Sequence, residues 1–145
     1  ATERSQHLMS LGIPLNTDST LKGQTVFLAE RCGELMHDNI ITDRTVFDVM
    51  AFTMNAKSIP HQDKESFETY ANEFIREYDY IFYISPHGIE IEDNGVRETD
   101  EHYRDLIDFT ITTLIKRYGH KCNIVEKISG STEERIQQIL NITGL

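Results

Sequence analysis

The chain has 145 residues, 39% of them apolar and 26% charged, with three prolines and a net charge of −10. That length fits one domain with a sizeable core. The acidic balance argues against a general nucleic-acid binder, because no basic surplus is available to neutralise a phosphate backbone. A small anionic ligand held by a few local arginines stays open.

At the start, Leu8, Met9 and Leu11 lie close together, with Gly12 as a stop and Pro14 behind it, which predicts a short helix. Asn16 to Thr20 is a cluster of capping residues. Leu21, Val26, Phe27, Leu28, Leu35 and Met36 then spread over a helix running to about Asp38. Gly23 and Gly33 each weaken that helix by about 1 kcal/mol relative to Ala, so tertiary packing has to hold it.

Ile40 and Ile41 form an apolar run too brief for a helix and are expected as a short strand. Val46, Phe47, Val49, Met50 and Phe52 recur at helical spacing beyond it. Asp43 and Arg44 would thus stand at a strand's carboxyl end, where ligands bind in open parallel sheets. An Asp in that place is either a helix N-cap or a group that holds Mg²⁺ through water. The adjacent Arg, able to fork onto phosphate oxygens, makes the two a phosphoryl-transfer pair. Asp48, one turn into the helix, is placed to cap it or to meet its dipole.

Residues 57–63, with Pro60, read as a loop. A helical pattern resumes over 64–79 through Phe67, Tyr70, Ala71, Phe74 and Ile75. Tyr80 to Ser85 is the strongest strand signal, a nearly continuous aromatic and β-branched run of the kind buried on both faces in the middle of a parallel sheet. Pro86 ends it. Residues 89–93 alternate apolar with acidic before Asn94 and Gly95, a hairpin signal that predicts a flap over about 88–100 carrying Arg97. Thr99 or Asp100 then caps a long helix through Tyr103, Leu106, Ile107, Phe109, Ile111, Leu114 and Ile115, ending at Gly119.

Cys122 to Ile128 reads as another strand, and Ser131 with Glu134 has capping-box spacing at the head of a last helix. Ile136, Ile139 and Leu140 are expected to face inward there. Strands alternating with helices predict a single α/β domain over 1–145 with a parallel sheet. Cys32 and Cys122 lack zinc-like spacing and read as buried free thiols, in keeping with a reducing, cytoplasmic setting. No apolar run reaches the roughly 18 residues that would span a membrane. The six histidines have no metal-like spacing. His87, following Ser85 and Pro86 at a strand's carboxyl end, is placed to contact a nucleoside base or to be a loop residue without role.

The run from Ile41 to Phe52 resembles the second nucleotide-site motif of a branch of P-loop proteins. That branch is the AAA-type ATPase and kinase-like domain related to ribosylnicotinamide kinases and, more distantly, to deoxynucleoside and thymidylate kinases. Tyr80 to Pro86 resembles the family's strand ending in Pro. Gly95, Val96 and Arg97, followed by His102, Tyr103 and Arg104, resemble its lid and next helix. Gly130 and Ser131 with Glu134 and Arg135 resemble its final loop and helix, and Thr2, Glu3 and Arg4 its stretch after the second strand.

The resemblance implies a three-layer α/β/α P-loop-like domain that binds ATP and Mg²⁺ and phosphorylates a nucleoside, nucleotide or similar small hydroxyl compound. It implies that Asp43 organises Mg²⁺ or acts near the attacking hydroxyl, and that Arg44 holds substrate or phosphate. Glu3 and Arg4 would bind the acceptor, Arg97 and Arg104 would close over the phosphates, and Gly130 and Ser131 would lie along the adenine. From the residues themselves, Arg97 is equally a solvated hairpin charge, and Arg104 is spaced to pair with Asp100 or Asp108 across a helical turn.

One departure is large. None of the eight glycines belongs to a Gly-Lys-Ser or Gly-Lys-Thr, so the loop that cradles the β-phosphate is not in these residues. The sheet is therefore expected to be incomplete at its first strands, with an edge open to self-association or to a partner strand. Three explanations compete: a piece of a longer protein, a truncation, or a descendant that has lost catalysis and serves as a binding or assembly module. The first two are the expectation, with an active full-length enzyme and no turnover by residues 1–145 alone.

Overall fold

The computed structural model describes residues 4–88 and 100–145. Helix α1 (Arg4–Ser10) buries Leu8 and stops at Gly12, whose φ of +79° is a left-handed conformation that suits glycine. A 3₁₀ turn at Asn16–Asp18 leads into α2 (Leu21–Glu34), capped by the Thr20 hydroxyl, which accepts from the Gly23 amide at 3.1 Å.

The centre of the molecule is α3 (Val46–Met54). Its sequence is apolar at nearly every position, and Val46, Phe47, Val49, Met50, Ala51 and Thr53 are all buried. A helix apolar on every side has to be surrounded, and α2, α4 (His61–Ala71), a 3₁₀ turn (Asn72–Glu77) and α5 (Glu101–Tyr118) surround it. Thr53 is tolerated inside because its hydroxyl donates to the Val49 carbonyl at 2.8 Å. Asn55, just past the helix, donates to the Thr110 hydroxyl at 3.0 Å and ties α3 to α5.

Strands β1 (Tyr80–Ile84) and β2 (Ile124–Ile128) are parallel, with Tyr80 opposite Ile124 and Ile84 opposite Ile128. Helix α5 is their crossover. It is capped by Asp100, whose carboxylate accepts from the His102 amide at 2.9 Å. Helix α6 (Thr132–Thr143) follows β2 and ends at Gly144, in the left-handed region. Cys122 is a buried free thiol and Cys32 a half-buried one; burial pushes both thiols above their ordinary pKa. Among the described residues no helix is long and apolar enough to cross a membrane.

Several expectations need correction. Ile40 and Ile41 are not a strand: Ile41 is 96% exposed, and residues 40–45 form an irregular link between α2 and α3. A strand is a paired state, and nothing described lies alongside to accept these backbone groups. The pattern expected as one helix over 64–79 is α4 followed by the 3₁₀ turn. β1 pairs on one side only among the described residues, and its Tyr80 and Ile84 are exposed rather than enclosed. The inward face expected for α6 is likewise open, with Ile136 at 52% and Leu140 at 38% exposure. The hairpin flap expected over 88–100 falls mostly on residues 89–99, outside the described ones.

Candidate functional site

The link carrying Asp43 and Arg44 is irregular but firmly tied. The Arg31 guanidinium reaches from α2 and donates to the Asp43 carbonyl at 2.7 Å, while pairing with Glu34 at 3.2 Å. Arg31 is only 7% exposed, so the loop carbonyl and the carboxylate together stand in for water around a buried charge. On the far side the Tyr78 hydroxyl accepts from the Val46 amide at 3.2 Å. Burial pushes the Tyr78 phenol well above its ordinary pKa, so it stays protonated at any ordinary pH.

Thr45, not Asp43, caps α3. Its hydroxyl accepts from the Phe47 amide at 3.1 Å, and Asp48 completes the capping box by accepting from the Thr45 amide at 2.8 Å. The Asp43 carboxylate is thereby left exposed, with no hydrogen-bond partner among the described residues. Arg44 takes a φ of +74°, which a side chain larger than glycine's adopts at a cost. Its guanidinium lies over the Phe52 ring, 5.5 Å from the centroid. Phe52 in turn meets the Tyr103 ring at 6.4 Å, and Arg104 is the next residue. Asp43 and Arg44 are thus joined to the start of α5 through an aromatic pair.

The strain at Arg44 can be measured. Arg44→Gly is expected to be more stable than Arg44→Ala by about 1 kcal/mol, since both lose the ring contact and only alanine keeps the left-handed penalty. Urea denaturation of the two variants checks this, and equal stability would mean that the loop relaxes when Arg44 is removed.

The other predicted site lies at the carboxyl edge of the sheet. Because Ile84 pairs with Ile128, the segments Ser85–His87 and Ser129–Ser131 leave the two strands side by side. Gln138 of α6 clamps the second of them, accepting from the Ser129 amide at 3.2 Å and donating to the Ser129 carbonyl at 2.7 Å. Gly130 has a φ of +96°, a backbone conformation that residues with a Cβ rarely adopt, so glycine suits the turn. Ser131 caps α6 by accepting from the Glu134 amide at 3.1 Å. On the β1 side of the same edge, the Tyr83 hydroxyl donates to Asp108 of α5, and His87 Nε2 stands 3.9 Å from the other oxygen of that carboxylate. Desolvation, then the hydrogen bond to Asp108, push the Tyr83 phenol up to about 12.

The sequence-predicted residues therefore fall into two places. Arg44 and its neighbour Asp43 lie at the Phe52–Tyr103 pair, and Arg104 follows Tyr103 in α5, its Nε 3.8 Å from Asp105. Gly130 and Ser131 sit at the sheet edge. Arg4 begins α1, its side chain outside the described residues, and Glu3 and Arg97 lie wholly outside them. Sequence reasoning missed Arg31, Tyr78, Tyr83 and Asp108. Arg31 had a signal: Gln24, Leu28 and Arg31 fall at i, i+4 and i+7, one buried face of α2, so its charge was bound to need an internal partner.

A family described as an AAA domain matches residues 16–135. The chain belongs to that AAA-domain family. No curated protein and no solved structure matches it. The match takes in both the Asp43 loop and the Gly130 turn, and AAA domains are P-loop nucleotide-binding domains that generally hold ATP with Mg²⁺. The residues present fit part of that requirement. Asp43 offers an exposed carboxylate, without a partner among the described residues, suited to a hydrated divalent cation, and Arg44 a cation suited to phosphate oxygens. The backbone nest and lysine that cradle a β-phosphate are not among residues 1–145 of this AAA domain.

Proposed function

We propose that this AAA domain binds ATP and Mg²⁺ and serves phosphoryl transfer to a nucleoside, nucleotide or similar small hydroxyl compound. The observation that supports it best is the Asp43–Arg44 loop. Buried Arg31, Tyr78 and a capping box hold it from behind, and its two charged side chains are left facing solvent across a strained Arg44. Strain kept at such a position fits a preorganised site.

Phosphoryl transfer asks the protein for positioning and charge neutralisation more than for covalent chemistry. Bound Mg²⁺ supplies neutralisation of the phosphate oxygens. Asp43 orients the cation's water shell or the attacking hydroxyl, and Arg44 holds phosphate oxygens from its seat on Phe52. Arg104 and Arg97 add positive charge from α5 and the segment before it, Glu3 and Arg4 hold the acceptor's hydroxyls, and Gly130 and Ser131 lie along the adenine. The edge of β1 that is unpaired among the described residues, an uncharged Tyr-Ile-Phe-Tyr-Ile run, suits a further strand that brings the phosphate loop, or else a partner or second copy of the chain. A second reading, a binding or assembly module without catalysis, draws on the missing Gly-Lys-Ser/Thr.

Calorimetric titration of the native polypeptide with ATP, with and without Mg²⁺, tests the proposal. Mg²⁺-dependent binding, weakened roughly tenfold by Arg44→Ala, is the expected result. No ATP binding by the native polypeptide at millimolar concentration would leave only the assembly reading.

A further inference from the structure

At the carboxyl edge of the sheet, in the segment that leaves β1 beside the one carrying Gly130 and Ser131, the side chains of Tyr83, His87 and Asp108 converge. Asp108 projects from α5 with its side chain only 15% exposed. One carboxylate oxygen accepts the Tyr83 hydroxyl, which fixes the plane of the group. The other oxygen turns to the mouth of the edge, where His87 Nε2 stands 3.9 Å away and the imidazole is 69% exposed. That separation is too long for a hydrogen bond between the two. It is the right size for a third polar atom set off the line between them, at hydrogen-bond distance from both. A group that both donates to the carboxylate and accepts from a ring N–H fits there, which a hydroxyl, like water, does and an ammonium or carbonyl does not. The His87 backbone is held in turn by the Ser85 hydroxyl, which accepts from the His87 amide at 3.3 Å.

We infer that Asp108 and His87, with Tyr83 orienting the carboxylate, form a subsite for a sugar hydroxyl of a bound nucleotide. A ribose hydroxyl donates to the free oxygen of Asp108 and accepts from His87 Nε2. A carboxylate takes ribose hydroxyls in the same way in dinucleotide-binding folds. The inference rests on the proposed adenine position, but its own claim concerns sugar hydroxyls alone.

Nucleosides lack phosphates and so make no demand on a phosphate loop, which makes adenosine and 2′,3′-dideoxyadenosine suitable probes for the 145-residue chain. Titration followed by amide and imidazole NMR signals is expected to show adenosine shifting both Ser131 and His87, with the dideoxy nucleoside roughly tenfold weaker. Asp108→Asn and the surface variant His87→Ala should each erase that preference while leaving the Ser131 shift in place. If both nucleosides bind equally and shift Ser131, the subsite is wrong and the adenine position stands. If neither shifts any signal at millimolar concentration, the subsite and the adenine position fall together.

Discussion

Phe47→Ala is expected to cost about 4 kcal/mol, the largest loss from any single truncation in the domain. Phe47 is 1% exposed and is the second residue of α3, the helix around which α2, α4, the 72–77 turn and α5 are packed. Removing its ring leaves a void among neighbours such as Val46, Met50 and Ile75 that are themselves fully buried. Those neighbours belong to two elements, α3 and the 72–77 turn, and cannot collapse inward together, so both the transfer and the cavity contributions are lost. For a chain of this size the melting temperature should fall by roughly 10–15 °C. Thermal unfolding followed by circular dichroism measures it, and a fall of only a degree or two would mean that α3 is not the hub. The same void adjoins the cap of α3, because Thr45 is anchored to the Phe47 amide. Asp43 and Arg44 should therefore sharpen or broaden in NMR spectra together with the core.

The second large effect is at Arg31. Arg31→Ala should destabilise the domain by about 3 kcal/mol, because it strands partners that were buried on its account. Glu34, 15% exposed in its side chain, loses the guanidinium at 3.2 Å, and the Asp43 carbonyl loses its donor at 2.7 Å. Most of that cost belongs to the stranded carboxylate. The double variant Arg31→Met with Glu34→Leu, which replaces the pair by apolar groups, should recover a large part of the stability. It should not recover the loop, since no donor remains for Asp43. Urea denaturation separates the first effect, and amide hydrogen exchange over residues 42–46 the second. If the double variant restored protection of that loop as well as stability, Arg31 would be a core ion pair with no part in shaping the site.

The two experiments bear on different kinds of information. The caps were legible because each is decided within one helical turn: Thr20, Asp100 and Ser131 need only a free amide two or three residues ahead. The strand at 80–84 was legible because an uncharged β-branched and aromatic run has few other places to go, and the one at 124–128 because β-branched Ile124, Val125 and Ile128 favour an extended chain. The isoleucines at 40 and 41 carry a similar local pattern, yet they are irregular, because a strand needs a neighbour to bond with and none of the described residues provides one. Of the site, Asp43 and Arg44 could be picked out by residue type. Their setting could not, since it depends on Arg31 and Tyr78, 12 and 32 residues from the groups they hold.

The amino-acid sequence by itself determined several helix caps, the α/β class, and which residue types are chemically able to meet a phosphate or a metal. Only the tertiary structure decided that Thr45 rather than Asp43 caps α3, which leaves Asp43 exposed for a ligand. It alone put Arg44 in a left-handed conformation over Phe52, and Asp108 beside His87 at the sheet edge. The reason is one of range. Capping and periodicity are energies exchanged between residues three or four apart, whereas a buried guanidinium, an aromatic seat or a shared carboxylate exists only after distant segments have been brought together and dried.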